Sequence, residues 1–348
     1  MRKIFALTLS SLPLFAEGNW INGCCTIKDH YSTNIDYMYL RRSRLTNHTI
    51  VEEEVTVADV IPQPNPNLIP FDPNSLVPIS SLPVKKVMNT EDLLHKFHWE
   101  SGVRATLSYT SNGYSAVEIS YFYIWPWNGM DSVVGPGTLF YPFDDLAFTT
   151  DFVHADQAVA TYSSLLQGAE LNYVYHQTPL RSDYWSFSWI AGGRFFLLHE
   201  RFNLAFSRGP NTSDYSIKTS NRLYGLQLGA TIDYNPSSRW TWHVMAKGAV
   251  FFTVAKNRVF LGDENNTVTL QQFNDDRWEG TYMFEGIASL GYRLFSTLYI
   301  HAGYQGLVLD NVALAPQQVE RRTPPHKRVK ANGALVIDGA FAGIEYAF

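Results

Sequence analysis

Apolar and polar side chains alternate in segments about ten residues long, and this alternation constrains the fold more than any other feature of the sequence. In the segment 99–109, Trp99 and Val103 occupy odd-numbered positions (one parity), whereas Glu100 and Arg104 occupy even-numbered positions (the other parity). Because successive side chains of a β-strand point to opposite faces, this segment predicts a strand with one apolar and one polar face. About ten such segments occupy the chain, and none has a convincing amphipathic helical period.

Composition favours a membrane protein built from these strands. Of the 348 residues, 15% are aromatic and only 17% are charged. Beyond the N-terminus there is no run of about 18 apolar residues to form a transmembrane helix, whereas about nine to eleven tilted residues of strand cross a bilayer. The sequence therefore predicts an all-β fold, a transmembrane antiparallel up-and-down β-barrel of about 10 strands, with 12 possible. Core packing in a soluble β-sandwich is the alternative explanation of the alternation.

The connections between strands alternate in length, as they do in bacterial barrels with short periplasmic turns and long outer loops. Short turns are predicted at 111–113, 178–183, 235–238 and 296, and longer connections at about 42–95, 128–162, 208–216, 262–277 and 313–333. This order places both termini on the periplasmic side. A hairpin hidden in either of the long segments would raise the strand count to 12.

The two ends of the chain indicate export and membrane insertion. Met1, Arg2 and Lys3 precede an apolar stretch that ends at Ala16, which predicts a secretory signal peptide cleaved after Ala16. The last alternating segment ends on Phe348 and resembles the terminal strand that the outer-membrane insertion machinery recognises. The predicted division is a signal peptide at 1–16, a periplasmic N-terminal segment at 17–30 and a barrel at 31–348, with a Pro-rich long loop at about 45–95.

The only cysteines are the neighbours Cys24 and Cys25, which would close a strained ring if they paired with each other. An exported chain meets an oxidising compartment, so an intermolecular disulfide through Cys24 or Cys25 is one prediction. A pair of free thiols explains the sequence equally well.

Charged residues on the polar parity are predicted to point into the barrel. Both signs of charge are present, so in a wide barrel these residues would line a water channel and set its ion selectivity. In a narrow barrel they would instead pair and fill most of the lumen. The predicted lumen-lining residues are Glu100, Arg104, Glu118, Glu170, Arg194, Asp233, Lys247, Glu285, Arg293 and Glu345.

One cluster could bind a metal ion or act as an acid and a base, namely Asp144, Asp145, Asp151, His154 and Asp156. Its spacing matches no specific ligand pattern, so we expect a hydrated loop there. An outer-membrane hydrolase that uses Asp151 and His154 is the enzymatic alternative. The sequence otherwise predicts no catalytic residue, no metal and no cofactor.

Several strand signatures lie at Phe97–Arg104, Leu166–Asn172, Gly192–Phe195 with Glu200, Asn221–Gly229, Trp240 and Lys247. Together these signatures resemble bacterial β-barrel porin families. The chain is similar to the planctomycete beta-barrel porin-like proteins and, more loosely, to the major outer-membrane proteins of the Legionella and chlamydia-related type. The resemblance covers about two-thirds of the chain and implies an outer-membrane location and a porin-like role. It does not include the Pro-rich segment before Phe97.

These observations predict a non-enzymatic porin of the cell outer membrane for passive diffusion of small hydrophilic solutes. The alternative is a closed-lumen barrel that acts as an envelope structural protein or, through its outer loops, as a surface adhesin. The expected partners are membrane lipid and lipopolysaccharide, and small hydrophilic solutes or ions, with a homo-oligomer as one alternative. The net charge of -5 argues against nucleic acid.

Overall fold

Ten antiparallel strands, β1 and β4 to β12, close into a barrel in the computed structural model, which confirms the predicted fold class. The structure describes residues 29–43, 49–54, 84–111, 114–142, 152–177, 184–263, 265–319 and 328–348. The strands are β1 His30–Ser43, β2 Thr49–Glu54, β3 Val84–Asn89, β4 Glu100–Ser111, β5 Ser115–Phe140, β6 Ala155–Gln177, β7 Trp185–Arg208, β8 Asn211–Tyr234, β9 Trp240–Asp263, β10 Val268–Arg293, β11 Leu298–Val312 and β12 Gly333–Ala347. The short helix α1 is Thr90–His95, and one 3-10 turn is Ala315–Gln318.

The first and last strands of the barrel seal it. In β1, Ser32 lies opposite Ala347 of β12, and the antiparallel register continues to Ser43 opposite Val336. Beyond this ladder, the amide N–H of Tyr31 donates to the carbonyl oxygen of Phe348 at 3.0 Å, and the amide of Phe348 donates back at 2.8 Å. The terminal residue is thus held at the end of the barrel that carries the short turns, which we name the proximal end; the opposite end is the distal end.

The outer surface of the wall has an apolar part and a polar part. On β8, outward side chains are apolar or aromatic from 224 to 234 and polar or charged from 212 to 222. The same change occurs on β7 after Leu197 and on β9 after Val254. The apolar part, which we name the belt, is about ten residues of strand tall and matches the length that crosses a bilayer. At its proximal edge, aromatic pairs such as Trp185 and Tyr234, with centroids 4.5 Å apart, form the girdle expected at a membrane interface.

Strands β5 to β9 are about twice as long as the sequence predicted, so three predicted longer connections are wrong. Residues 128–140 and 155–162 are strand, and β7 and β8 meet in a turn at Gly209, whose φ of +55° suits glycine. The segment 262–277 is likewise mostly strand. Beyond the belt most apolar side chains point inward and most polar ones point outward, so the inward and outward positions of each strand exchange their polarity. The alternating pattern with apolar residues at outward positions therefore ends at the edge of the belt, although the strand itself continues.

The first long connection contains a hairpin and α1. In the hairpin, β2 pairs with β3 and also with the distal end of β5, where Glu52 lies opposite Phe140. A Cβ on Gly129 of β5 would lie 2.5 Å from the carbonyl oxygen of Leu93, so α1 lies against the inner face of the wall and only glycine permits this approach. The sequence left open a hidden hairpin in this long connection. The hairpin is present, but its two strands are not part of the closed barrel.

Several sequence predictions fall on residues outside the described ranges. These are the signal peptide, the state of Cys24 and Cys25, and most of the Pro-rich loop. Among the described helical residues, no stretch is long and apolar enough to span a membrane as a helix.

The belt predicts a clear difference between two arginine substitutions. Leu228→Arg places a cation in the middle of the belt and is expected to lower the free energy of unfolding in lipid vesicles by about 2–4 kcal/mol. Gln157→Arg, on the polar part of the outer surface, is the matched control and should change it by less than about 0.5 kcal/mol. Denaturant titration of both refolded proteins measures the difference, and equal effects would contradict the assignment of the belt.

Candidate functional site

The proximal half of the lumen is a polar cavity. Its volume is about 520 Å³, and its lining includes His30 and Ser296, so it opens at the proximal end. Most of the lining side chains are polar because the inward parity within the belt carries hydroxyl, amide and charged groups. The predicted lumen-lining residues found there are Arg104, Glu118, Glu170, Asp233, Lys247, Arg293 and Glu345.

The three remaining predicted residues lie elsewhere. Arg194 and Glu285 are buried at the distal end of the cavity, behind its lining. Glu100 shares the inward face of β4 with Arg104 and lies opposite Leu40 of β1, away from the cavity. The role of these ten residues in selectivity stays a prediction.

A charged network crosses the lumen at the distal end of the cavity. Arg194 pairs with Glu170 at 3.1 Å and with Glu285 at 2.6 Å. Lys247 donates to Glu170 at 2.9 Å, and Gln227 donates to the same carboxylate at 2.9 Å. Two cations and two anions balance, which is what buried charges require in a low-dielectric interior. The network therefore fills the part of the lumen next to β6–β10 with bonded side chains.

A second charged group lies on the opposite side of the lumen. Asp36 accepts from Arg104 at 2.8 Å and lies 2.7 Å from Nε2 of His301. Arg104 also donates to Gln305 at 3.2 Å. Sequence reasoning identified Arg104 but missed Asp36 as its partner. A charged residue on the inward parity of β1 was the signal that could have revealed it.

An apolar layer closes the lumen on the distal side of the network. It is one contiguous cluster of buried side chains to which nine of the ten barrel strands contribute, so it crosses the lumen. Phe196 lies at its centre, with ring centroids 5.5 Å from both Phe122 and Phe251. A Cβ on Gly168 would lie 2.5 Å from Phe196, so glycine leaves the room that the ring occupies. Members from the wall include Met38, Leu40, Phe122, Ile124, Leu166, Phe196, Leu198, Leu223, Phe251, Met283 and Leu309.

A buried ion pair lies beyond the apolar layer. Arg42 and Glu200 are 2.6 Å apart, and both side chains are fully buried. Burial raises the pKa of the Tyr162 hydroxyl well above its usual value, so this hydroxyl stays protonated and donates to Glu200 at 2.9 Å. The amide of Ala315 donates to the other oxygen of Glu200 at 2.7 Å, which fixes the 3-10 turn inside the barrel. Sequence analysis missed this pair because it placed Arg42 in a loop.

The distal half of the barrel has a second apolar core. Side chains of the β2–β3 hairpin and α1, including Ile50, Met88 and Leu93, pack against inward residues of the wall such as Phe202 and Phe206. This half therefore resembles the interior of a soluble protein. Within the described part of the chain, buried side chains fill the lumen from the charged network to the distal end.

The predicted acidic cluster gives no catalytic arrangement in the described part of the chain. Asp144, Asp145 and Asp151 lie outside the described residues. Asp156 accepts from the backbone amides of Gly137 and Gly209, at 2.9 and 2.8 Å, and so ties two strand ends together. Among the described residues, no three His, Cys, Asp or Glu side chains are placed to hold a metal ion.

Comparisons with known proteins find barrels of low similarity. No family model and no curated protein matches the chain, so the resemblance to the porin-like families stays a prediction. The crystal structure of the outer membrane protease OmpT from Escherichia coli aligns over 94% of this chain and 99% of its own, with 10% identity and a TM-score of 0.43. The crystal structure of the P. putida toluene transporter TodX aligns over 93% of this chain and 90% of its own, with 8% identity and a TM-score of 0.25. An anion-selective porin from Comamonas acidovorans aligns over 92% of this chain and 99% of its own, with 9% identity and a TM-score of 0.15. All three TM-scores are below 0.5, so nothing about their activities is carried over to this chain.

The charged network predicts that Arg194 is needed for stability. Arg194→Gln leaves Glu170 and Glu285 buried without this partner, and we expect the free energy of unfolding to fall by about 3–5 kcal/mol. The matched control is Arg41→Gln, because Arg41 pairs with Asp338 on the surface, where ion pairs contribute little. Denaturant titration compares them, and the double variant Arg194→Gln, Glu285→Gln should recover part of the loss. Equal stability of the two single variants would contradict this account of the network.

Proposed function

We propose that this chain is a bacterial outer-membrane barrel with a closed lumen, which acts as an envelope structural protein and displays its distal half at the cell surface. The observation that carries the proposal is the apolar layer around Phe196. Nine of the ten barrel strands contribute to this layer, so it separates the polar cavity from the distal half. An ion that passed it would lose its hydration without finding polar partners, which is a large energetic barrier.

The location and orientation follow from the outer surface and the turns. A closed barrel with an apolar belt and an aromatic girdle has the construction of bacterial outer-membrane barrels. In those barrels the short turns face the periplasm. The cavity then opens toward the periplasm, and the long hairpins project about ten residues of strand beyond the membrane.

Passive diffusion of small hydrophilic solutes is the second candidate. The polar cavity with charges of both signs favours it, since such walls are found in water-filled channels. A porin also needs a continuous polar path through the distal half. The described residues fill that half, so the closed barrel is the function that the geometry supports best.

Planar-bilayer conductance separates the two candidates. We expect no stepwise conductance from the refolded mature chain, because the apolar layer belongs to the wall itself. Deleting residues 52–86, which removes most of the β2–β3 hairpin, should leave the chain silent for the same reason. A general porin inserted under the same conditions is the positive control, and altered gel mobility of the unheated sample shows that the chain is folded.

Each alternative outcome has a distinct meaning. Stepwise conductance of the intact chain would establish a channel and overturn the closed-lumen proposal. Conductance in the deleted form alone would show that residues 52–86 hold the constriction and that the layer around Phe196 does not close the lumen.

A further inference from the structure

Three basic side chains form a row on the outer surface, four residues of strand beyond the last apolar outward residues of β7 and β9. Arg201 of β7 lies directly opposite Lys218 of β8, and Lys218 lies opposite Arg258 of β9. Directly opposed residues on one face of a sheet have Cβ atoms about 4.5–5.5 Å apart, so the row is about 10 Å wide. Like charges in this arrangement repel and destabilise the fold, and an anion bound across them would reverse that effect.

The row has no counterion within the described part of the protein. All three side chains are exposed, and none of them forms an ion pair with a described residue. The carboxylate of Asp276 lies directly opposite Lys256, two residues closer to the belt, so Asp276 is a diagonal neighbour of Arg258 and forms no ion pair with it. Arg258 instead lies opposite the neutral Asn274. The row therefore presents its positive charge to solvent or to a ligand.

A groove adjoins the row on the same surface. It has a volume of about 520 Å³, and Arg201 and Lys218 lie on its edge. Thr161, Ser163 and Asn203 also line it beside the apolar side chain of Met130, and their hydroxyl and amide groups can donate to and accept from the hydroxyls of a sugar. A sugar and a phosphate would thus find complementary groups side by side.

The position of the row relative to the belt indicates a ligand anchored in the membrane. On the proximal side of the row, the outward residues Phe195, Tyr224 and Phe252 are directly opposed on the same three strands and belong to the belt. Acyl chains packed on these residues would place an anionic headgroup among the basic side chains on their distal side, which begin with Arg222 and Lys256 and continue to the row. Basic groups at this level attract anionic headgroups.

We propose that Arg201, Lys218 and Arg258 bind the phosphate groups of a phosphorylated glycolipid of the outer leaflet, with its sugar in the adjoining groove. Arginine and lysine form charge-assisted hydrogen bonds with phosphate oxygens, and the three cations together match a headgroup with more than one negative charge. The inference takes from the proposed function only that the distal half faces the outer leaflet. Binding itself does not depend on whether the lumen is closed.

Native mass spectrometry of the full chain in a non-ionic detergent tests the proposal with defined lipids. The probe is bisphosphorylated lipid A, compared with its dephosphorylated form, with phosphatidylglycerol and with inorganic phosphate. We expect retention of the phosphorylated glycolipid at concentrations where the other three do not bind, and weaker binding as the ionic strength rises. Equal binding of the dephosphorylated form would overturn the role of the cations, and equal binding of phosphatidylglycerol would overturn the choice of a glycolipid.

A charge-matched pair of variants locates the site. Lys218→Gln, Arg258→Gln removes two cations from the row and should weaken lipid A binding by about tenfold or more, since hydrogen bonds to charged groups are strong. Arg208→Gln, Arg239→Gln removes two cations from strand turns elsewhere and should bind as the unmodified chain does. Equal loss in both variants would show that net charge alone drives binding and would overturn the site. Thermal unfolding without lipid shows that each variant is folded. The bilayer conductance experiment tests only the closed lumen, so failure of that proposal can be distinguished from failure of the lipid site.

Discussion

Closure of the sheet is the constraint on which the rest of the structure depends. In a lipid environment every backbone N–H and C=O group must find a partner within the protein, and a barrel without edges satisfies this requirement. The ladder between β1 and β12 provides the closure, and its last hydrogen bonds use Tyr31 and the terminal Phe348. Once ten strands close, the lumen is narrow enough for side chains to fill it. The charged network and the apolar layer are two ways in which this chain fills that space.

The polarity of the wall changes along each long strand, and this change explains both the belt and the filled distal half. Within the belt, lipid surrounds the outer surface and polar groups point inward. Beyond the belt, water surrounds the outer surface, so Tyr215 and Ile217 point inward and Asp214 and Lys218 point outward on β8. The same strand thus builds a membrane protein at one end and a water-exposed barrel with an apolar core at the other. The row of cations lies at the boundary between these two environments.

The sequence was enough to predict the barrel, its strand number and the inward side of Arg104, Glu170 and Lys247, because alternation within the belt is a local property. It was not enough to predict the length of the strands, since the reversal of polarity beyond the belt resembles the end of a strand. Partnerships such as Arg42 with Glu200 or Arg194 with Glu285 join residues about 90 or more positions apart. The filling of the lumen is a property of the closed barrel, so strand patterns taken one at a time left open whether the lumen would conduct.

Site-directed labelling tests the closed lumen most directly. Ser108 lines the proximal cavity, and Thr212 lies on the exposed distal end of β8. A cysteine is placed at one of these positions in a chain whose two native cysteines are replaced by serine, and cells that lack their general porins are treated with a small charged maleimide. A closed lumen predicts that Thr212→Cys reacts in intact cells, whereas Ser108→Cys reacts only after the outer membrane is permeabilised. Reaction of Ser108→Cys in intact cells at the rate of Thr212→Cys would show an open path through the lumen and contradict the account.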